Sequence, residues 1–175
     1  MPKNISAEAL YNACAAGDVA AVSRLLPAGG TPRNLSGQRF QFHTEKSCTP
    51  LTAAAANGHT EIVRMILERA PNTSVDYVET DGDTALIMAA LYHHADIVRL
   101  LTDRGGNVNV ASQARLITPL RAAVGPTNPT ASRRNPDPDG ARQLATVRAL
   151  LRLGAGTLPP PPPSLPDPAA LTQPC

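Results

Sequence analysis

The sequence has no tryptophan, and phenylalanine and tyrosine together supply only two and three residues. With aromatics at 3% and hydrophobic residues at 42%, the core has to be built from Ala, Leu, Val and Ile, which suits close helix–helix stacking. Charge of one sign is also scarce: the formal net charge is +2, too small to argue for a nucleic-acid or anionic-membrane partner. No apolar run approaches the roughly 20 residues of a membrane-spanning helix. The opening Met1-Pro2-Lys3-Asn4 leads into a helical pattern without the apolar core of a signal peptide. Cysteine is limited to Cys14, Cys48 and Cys175, an odd and scattered set that makes no disulfide framework. A reduced intracellular compartment, cytoplasmic or nuclear, is the expectation. Cys175 does not fit a prenylation box, which needs three residues after the cysteine, so prenylation is not expected. Neither a Walker-type phosphate loop nor a Ser-His-Asp or Cys-His set can be argued from spacing, so no catalytic residue and no cofactor are expected.

What is present is a repeat. Residues 81–108 read as two short helices: Asp81-Gly82 marks a turn and Thr84 caps a helix carrying Leu86, Ala89 and Ala90 inward. His93-His94 breaks that helix and opens another with Ile97, Val98, Leu100 and Leu101 as its apolar stripe, closed by Gly105-Gly106. Thr49-Pro50-Leu51, Thr84-Ala85-Leu86 and Thr118-Pro119-Leu120 open three such units, with their leucines 35 and 34 residues apart. A fixed period of that size means stacked units, each burying its apolar face on its neighbours.

Four units are predicted, at about 6–30, 49–76, 84–109 and 118–156, with insertions at 31–48 and 125–140, within one domain over 1–156. In the first, Leu10, Ala13 and Cys14 face inward, and Gly17-Asp18 separates its helices; Cys14 reads as a buried small apolar residue. In the first insertion, Phe40 and Phe42 alternate with Gln41 and His43. Their rings either pack back on the first two units or line a partner groove. In the fourth unit Leu144, Val147, Leu150 and Leu151 are expected inward, with Arg142, Arg148 and Arg152 outward. Residues 157–175 hold five consecutive prolines, Pro159 to Pro163, and are expected to form a disordered, polyproline II tail that cannot join the core.

The combination Thr-Pro-Leu, Ala-Ala, Gly58-His59 and Ile62-Val63-Arg64 resembles the ankyrin repeat over roughly residues 6–156. The resemblance implies an all-α ankyrin-repeat solenoid of about four stacked helix-turn-helix units with finger loops. It also implies a monomeric, non-catalytic module that binds a partner protein or peptide on the concave face made by its fingers and first helices. Carried over position by position, that face comprises Asn57, Thr80, Asp81, Asp83, Leu91, Tyr92, Arg115 and Arg121. Tyr92 and Arg121 are its anchors by residue type, and Asp81 and Asp83 suit a basic partner segment. The chain departs from the family in two places. Thr52, Ile87 and Arg121 stand where the family has a histidine, and His93 stands where it has a glycine that often needs positive φ.

Two other readings differ in class. The tail contains Pro163-Ser164-Leu165-Pro166, a PxxP spacing that could dock in an SH3, WW or EVH1 type groove, making the chain a tail-driven adaptor. Alternatively, His59, His93 and His94 could bind a metal or act catalytically. Units stacked about one helix diameter apart, roughly 10 Å, keep histidines of neighbouring units from sharing a tetrahedral ion, so no metal ligand is assigned.

Overall fold

The computed structural model describes residues 7–26, 48–70, 73–79, 82–112, 116–125 and 140–156. Among these residues there are eight helices and no strand. They form four antiparallel pairs: α1 (Ala7–Ala16) with α2 (Val19–Leu25), α3 (Pro50–Asn57) with α4 (Thr60–Arg69), α5 (Ala85–Leu91) with α6 (Ala95–Asp103), and α7 (Pro119–Val124) with α8 (Ala141–Arg152). The first helices pack as one row, α1 on α3, α3 on α5 and α5 on α7; the second helices form a parallel row, α2, α4, α6, α8. This is the all-α repeat solenoid expected from the 34–35-residue period.

Local chemistry starts each helix. Thr49, Thr84 and Thr118 are extended N-caps whose hydroxyls accept from the backbone N–H of Thr52, Ile87 and Arg121. Pro50 and Pro119 occupy the first turn, where a missing N–H costs nothing. Asp18 caps α2 through a 2.8 Å bond from the Ala21 N–H. None of the helices exceeds 12 residues, and at that length a helix is marginal by itself in water. Packing therefore decides. Leu51, Leu86, Ile62, Val63, Ile97, Val98 and Leu101 are buried between the two rows, each fully buried chain of this kind contributing about 1.5–3 kcal/mol. Ala53, Ala54, Ala55 and Ala56 are all buried, so the small side chains of α3 let α1 and α5 approach from either side.

Two inward assignments are corrected. In α8, Leu150 is buried and Val147 half-buried, but Leu144 and Leu151 are 49% and 55% exposed. No further helix pair among the described residues stacks on α8 to cover them. The first insertion up to residue 47, with Phe40 and Phe42, the second over 126–139, and the tail from residue 157 lie outside the described residues.

Candidate functional site

The face in question is made of the first helices and the fingers that precede them. The third unit's finger closes on itself: the Glu79 N–H donates to the Asp83 carbonyl at 2.8 Å, and the Gly82 N–H to the Glu79 carbonyl at 2.9 Å. The fourth repeats this with the Ser112 N–H donating to the Ile117 carbonyl at 2.9 Å. Side chains then tie fingers to neighbouring units. The buried Glu79 accepts the Thr49 N–H on Oε1 at 2.8 Å, fixing the start of α3. The Asp76 carboxylate accepts the Asn107 N–H at 3.0 and 3.1 Å, and Asn109 Oδ1 accepts the Gly156 N–H at 2.8 Å. None of these ties was anticipated, because each joins residues about 30 to 47 apart in sequence.

On this scaffold the expected contact residues separate. Leu91 and Arg121 come together, lining one groove of about 670 Å³ with Ile117, Leu120 and Val124. Arg121 is exposed and Leu91 half-buried. Asn57 is elsewhere: it lines a second cleft of about 530 Å³ with Thr60, His93, His94, Arg99 and Arg142. The Asn57 amide donates to the Ala53 carbonyl of its own helix at 2.8 Å. Asp83 is only 1% exposed, so its carboxylate lies inside the finger and presents little charge to a partner. Tyr92 is 8% exposed and packs with Ala56, Met88 and Leu91. Thr80, Asp81 and Arg115 lie outside the described residues. Sequence reasoning overlooked Ile117, Leu120 and Val124 as groove residues and Leu116, at 82%, as the most exposed large apolar side chain among the described residues. The signal for Val124 was its position: it is the last helical residue before a Pro- and Asn-rich insertion, so nothing in the pattern required it to face the core.

His59 and His94 sit at the turn into the second helix of their units, each the residue before it. His59 donates from Nε2 to the Ala15 carbonyl at 3.2 Å, and His94 from Nε2 to the Ala56 carbonyl at 3.3 Å. Both thus bind a carbonyl at the end of the preceding unit's first helix and tie neighbouring units together. Burial pushes the His94 pKa below its ordinary value; the Ala56 bond opposes that, and the charges of Arg142, His93 and His59 reinforce it. His93 has φ +61, as its glycine-like position predicts. Arg69 and Arg104 close the opposite ends of the second helices: Arg69 donates to the Leu26 carbonyl at 2.7 Å and Arg104 to that of Leu67, cations placed where a helix end favours them.

Among the described residues no group of three or more His, Cys, Asp or Glu side chains converges on a point that could hold a metal. Cys14 is buried, and burial pushes its thiol up to about 12, which keeps it protonated and unreactive. No described helix is long and apolar enough to cross a membrane. The chain is similar to a family model described as ankyrin repeats, in three copies, over residues 10–112. No curated protein matches it.

Proposed function

As the chain belongs to the ankyrin-repeat family, we propose that it is a non-catalytic interaction module that seats a segment of a partner protein on its finger and first-helix face. Ankyrin repeats are in general protein–protein interaction modules; the face and the chemistry of the segment are our reading. The observation that carries it is the groove between the ends of α5 and α7. Its lining is largely apolar (Leu91, Ile117, Leu120, Val124) and includes one exposed cationic side chain, Arg121. Such a seat suits an apolar anchor residue followed by a carboxylate, with Leu116 beside it as a further apolar contact. Arg is a frequent hot-spot residue because its fork binds carboxylates bidentately while its stem packs on apolar surface. The laced fingers hold the seat before the partner arrives, so little ordering entropy is lost on binding. The module acts as a monomer inside the cell, in the cytoplasm or nucleus, a setting in keeping with the buried, protonated thiol of Cys14.

Peptides selected from a random displayed library against the full chain test this reading. Arg121→Glu and Ile117→Asp should each weaken the selected peptides by at least about tenfold, roughly 1.4 kcal/mol, while thermal unfolding of the Arg121 variant stays unchanged. Peptides that bind both variants as tightly as the parent chain would refute the assignment of this groove.

A further inference from the structure

The cleft of about 530 Å³ opens where the first helices end and the second helices begin, and its walls are polar. Three successive units contribute: Asn57 and Thr60 from the second, His94, Asp96 and Arg99 from the third, and Arg142 from the fourth. The sequence explains how Arg142 reaches it. Thr146, Val147 and Leu150 correspond to Ile97, Val98 and Leu101, so α8 begins nearly one turn earlier than α6. That added turn puts Arg142 at the place that His93 holds in the third unit. Charge in the cleft is one-sided. Arg99 and Arg142 are exposed, and Arg142 lies close enough to His94 for the ring to feel its charge. His94 Nδ1 is turned to Gly58 on the cleft wall, 2.9 Å from where a Cβ on that glycine would stand. Since Nε2 donates to the Ala56 carbonyl, a proton taken up by the ring goes to Nδ1. The one carboxylate among the described residues of the lining, Asp96, opposes an anion. It pairs with Arg99 at 3.3 Å, but both side chains are more than half exposed, and an exposed pair of this kind is weak. Arg99 is therefore free to turn to a second carboxylate.

We propose that this cleft is a second docking site, which seats an acidic segment of a partner protein with one carboxylate between Arg142 and His94 and a neighbouring one on Arg99. Guanidiniums set on different units suit carboxylates spaced along a chain, because each fork takes one carboxylate through two parallel N–H···O bonds. The extent of the cleft favours a chain over a small anion. Packed helices stand about 8–10 Å apart, so a lining that runs from the second unit to the fourth covers roughly 16–20 Å, the reach of about five or six extended residues. Asn57 adds a backbone contact: its amide donates to the Ala53 carbonyl, and its side-chain oxygen can accept an N–H of the segment. No residue lines both this cleft and the groove between α5 and α7, so the two sites can be filled together.

Acetylated hexaglutamate titrated into the full chain at low ionic strength, followed by NMR, tests this. The His94 ring and the Ala95 and Ala145 methyls should shift saturably, and the Leu91 and Val124 methyls should not move. Arg142→Glu, at an exposed position whose thermal unfolding should be unchanged, should weaken binding by at least about tenfold, whereas Arg121→Glu should leave it as it is. A second arm uses pH. The charged and titratable groups that face His94 are Arg142, His93 and His59, with Asp96 and Arg99 on its own helix. A carboxylate seated beside the ring favours its protonated form, so hexaglutamate should bind at least about twofold more tightly at pH 5.5 than at pH 7.5. His94→Gln should remove that difference. Absence of saturable shifts overturns the proposal, as do shifts that Arg142→Glu leaves intact or a pH difference that survives in His94→Gln. Inorganic phosphate or oligothymidylate giving the same shifts at equal affinity also overturns it, because a small ion or a nucleic-acid backbone would then suffice. Hexaglutamate carries no apolar anchor for the groove between α5 and α7, so a negative result here leaves the proposed binding face standing.

Discussion

The imidazole of His94 lies directly over Gly58: a Cβ built on that glycine would stand 2.6 Å from the ring's Cε1. Gly58 has φ +79 and the ring's Nε2 donates to the Ala56 carbonyl, so one glycine both turns the chain and makes room for the next unit's histidine. The same contact recurs one unit earlier, where His59 Cε1 lies at 2.6 Å from a Cβ on Gly17. Gly58→Ala should therefore cost about 1–3 kcal/mol, from the left-handed backbone and the displaced ring together. Chemical denaturation of Gly58→Ala, His94→Ala and the double variant should give a coupling energy that makes the second change less costly after the first. Additive losses would show that the ring and the glycine do not share that space.

His94 also makes the seam sensitive to acid. Its folded-state pKa is lowered from 6.5, chiefly by burial, so the folded chain holds the neutral ring while the unfolded chain takes up a proton first. The unfolded state then binds more protons below pH 6.5, and stability falls as pH drops from there through the lower folded value. Above 6.5 the contribution is complete. Denaturation midpoints at pH 7 and pH 5 should differ more in the parent chain than in His94→Gln, which keeps a side-chain N–H but does not titrate.

Glu79 offers a finger-side counterpart. Its Oε1 accepts the Thr49 N–H at 2.8 Å with both residues buried, so Glu79→Ala leaves a buried backbone donor without that acceptor. The expected loss is about 1–3 kcal/mol, read by urea denaturation. Hydrogen exchange should accelerate first at the Thr49 amide.

Cys14 is expected to be inert in the folded chain, since burial pushes its thiol up to about 12. Iodoacetamide at pH 8 followed by peptide mass mapping should leave Cys14 unmodified in native protein and modify it in guanidinium. Modification of Cys14 under native conditions would mean that α1 opens locally on the timescale of the reaction.

Much of this architecture is legible in the residues because local and tertiary signals agree. Thr-Pro-Leu is at once a cap, a first-turn proline and a core leucine, and the threonines at 49, 84 and 118 all cap as that pattern demands. His93 in a glycine's place foretells its positive φ. What fails is what depends on neighbours. Periodicity marks Leu144 and Leu151 as part of an apolar stripe, but it does not say whether another unit follows to cover them. Residue type favours Tyr92 and Asp83 as contacts, whereas Tyr92 is enclosed by Ala56, Met88 and Leu91, and Asp83 by its own finger. Of the groove between α5 and α7, Leu91 and Arg121 follow from the family's pattern, whereas Ile117, Leu120 and Val124 do not, since they acquire a common wall with Leu91 only when two units are set side by side.

The most direct test of the proposed role is a methyl chemical-shift footprint of a library-selected peptide on the full chain. The account predicts saturable shifts centred on Leu91, Ile117, Leu120 and Val124, with the methyls of Ile62 and Ile97 on α4 and α6 unmoved. A footprint confined to the second helices, with the Leu91 and Val124 methyls unchanged at saturation, would contradict it.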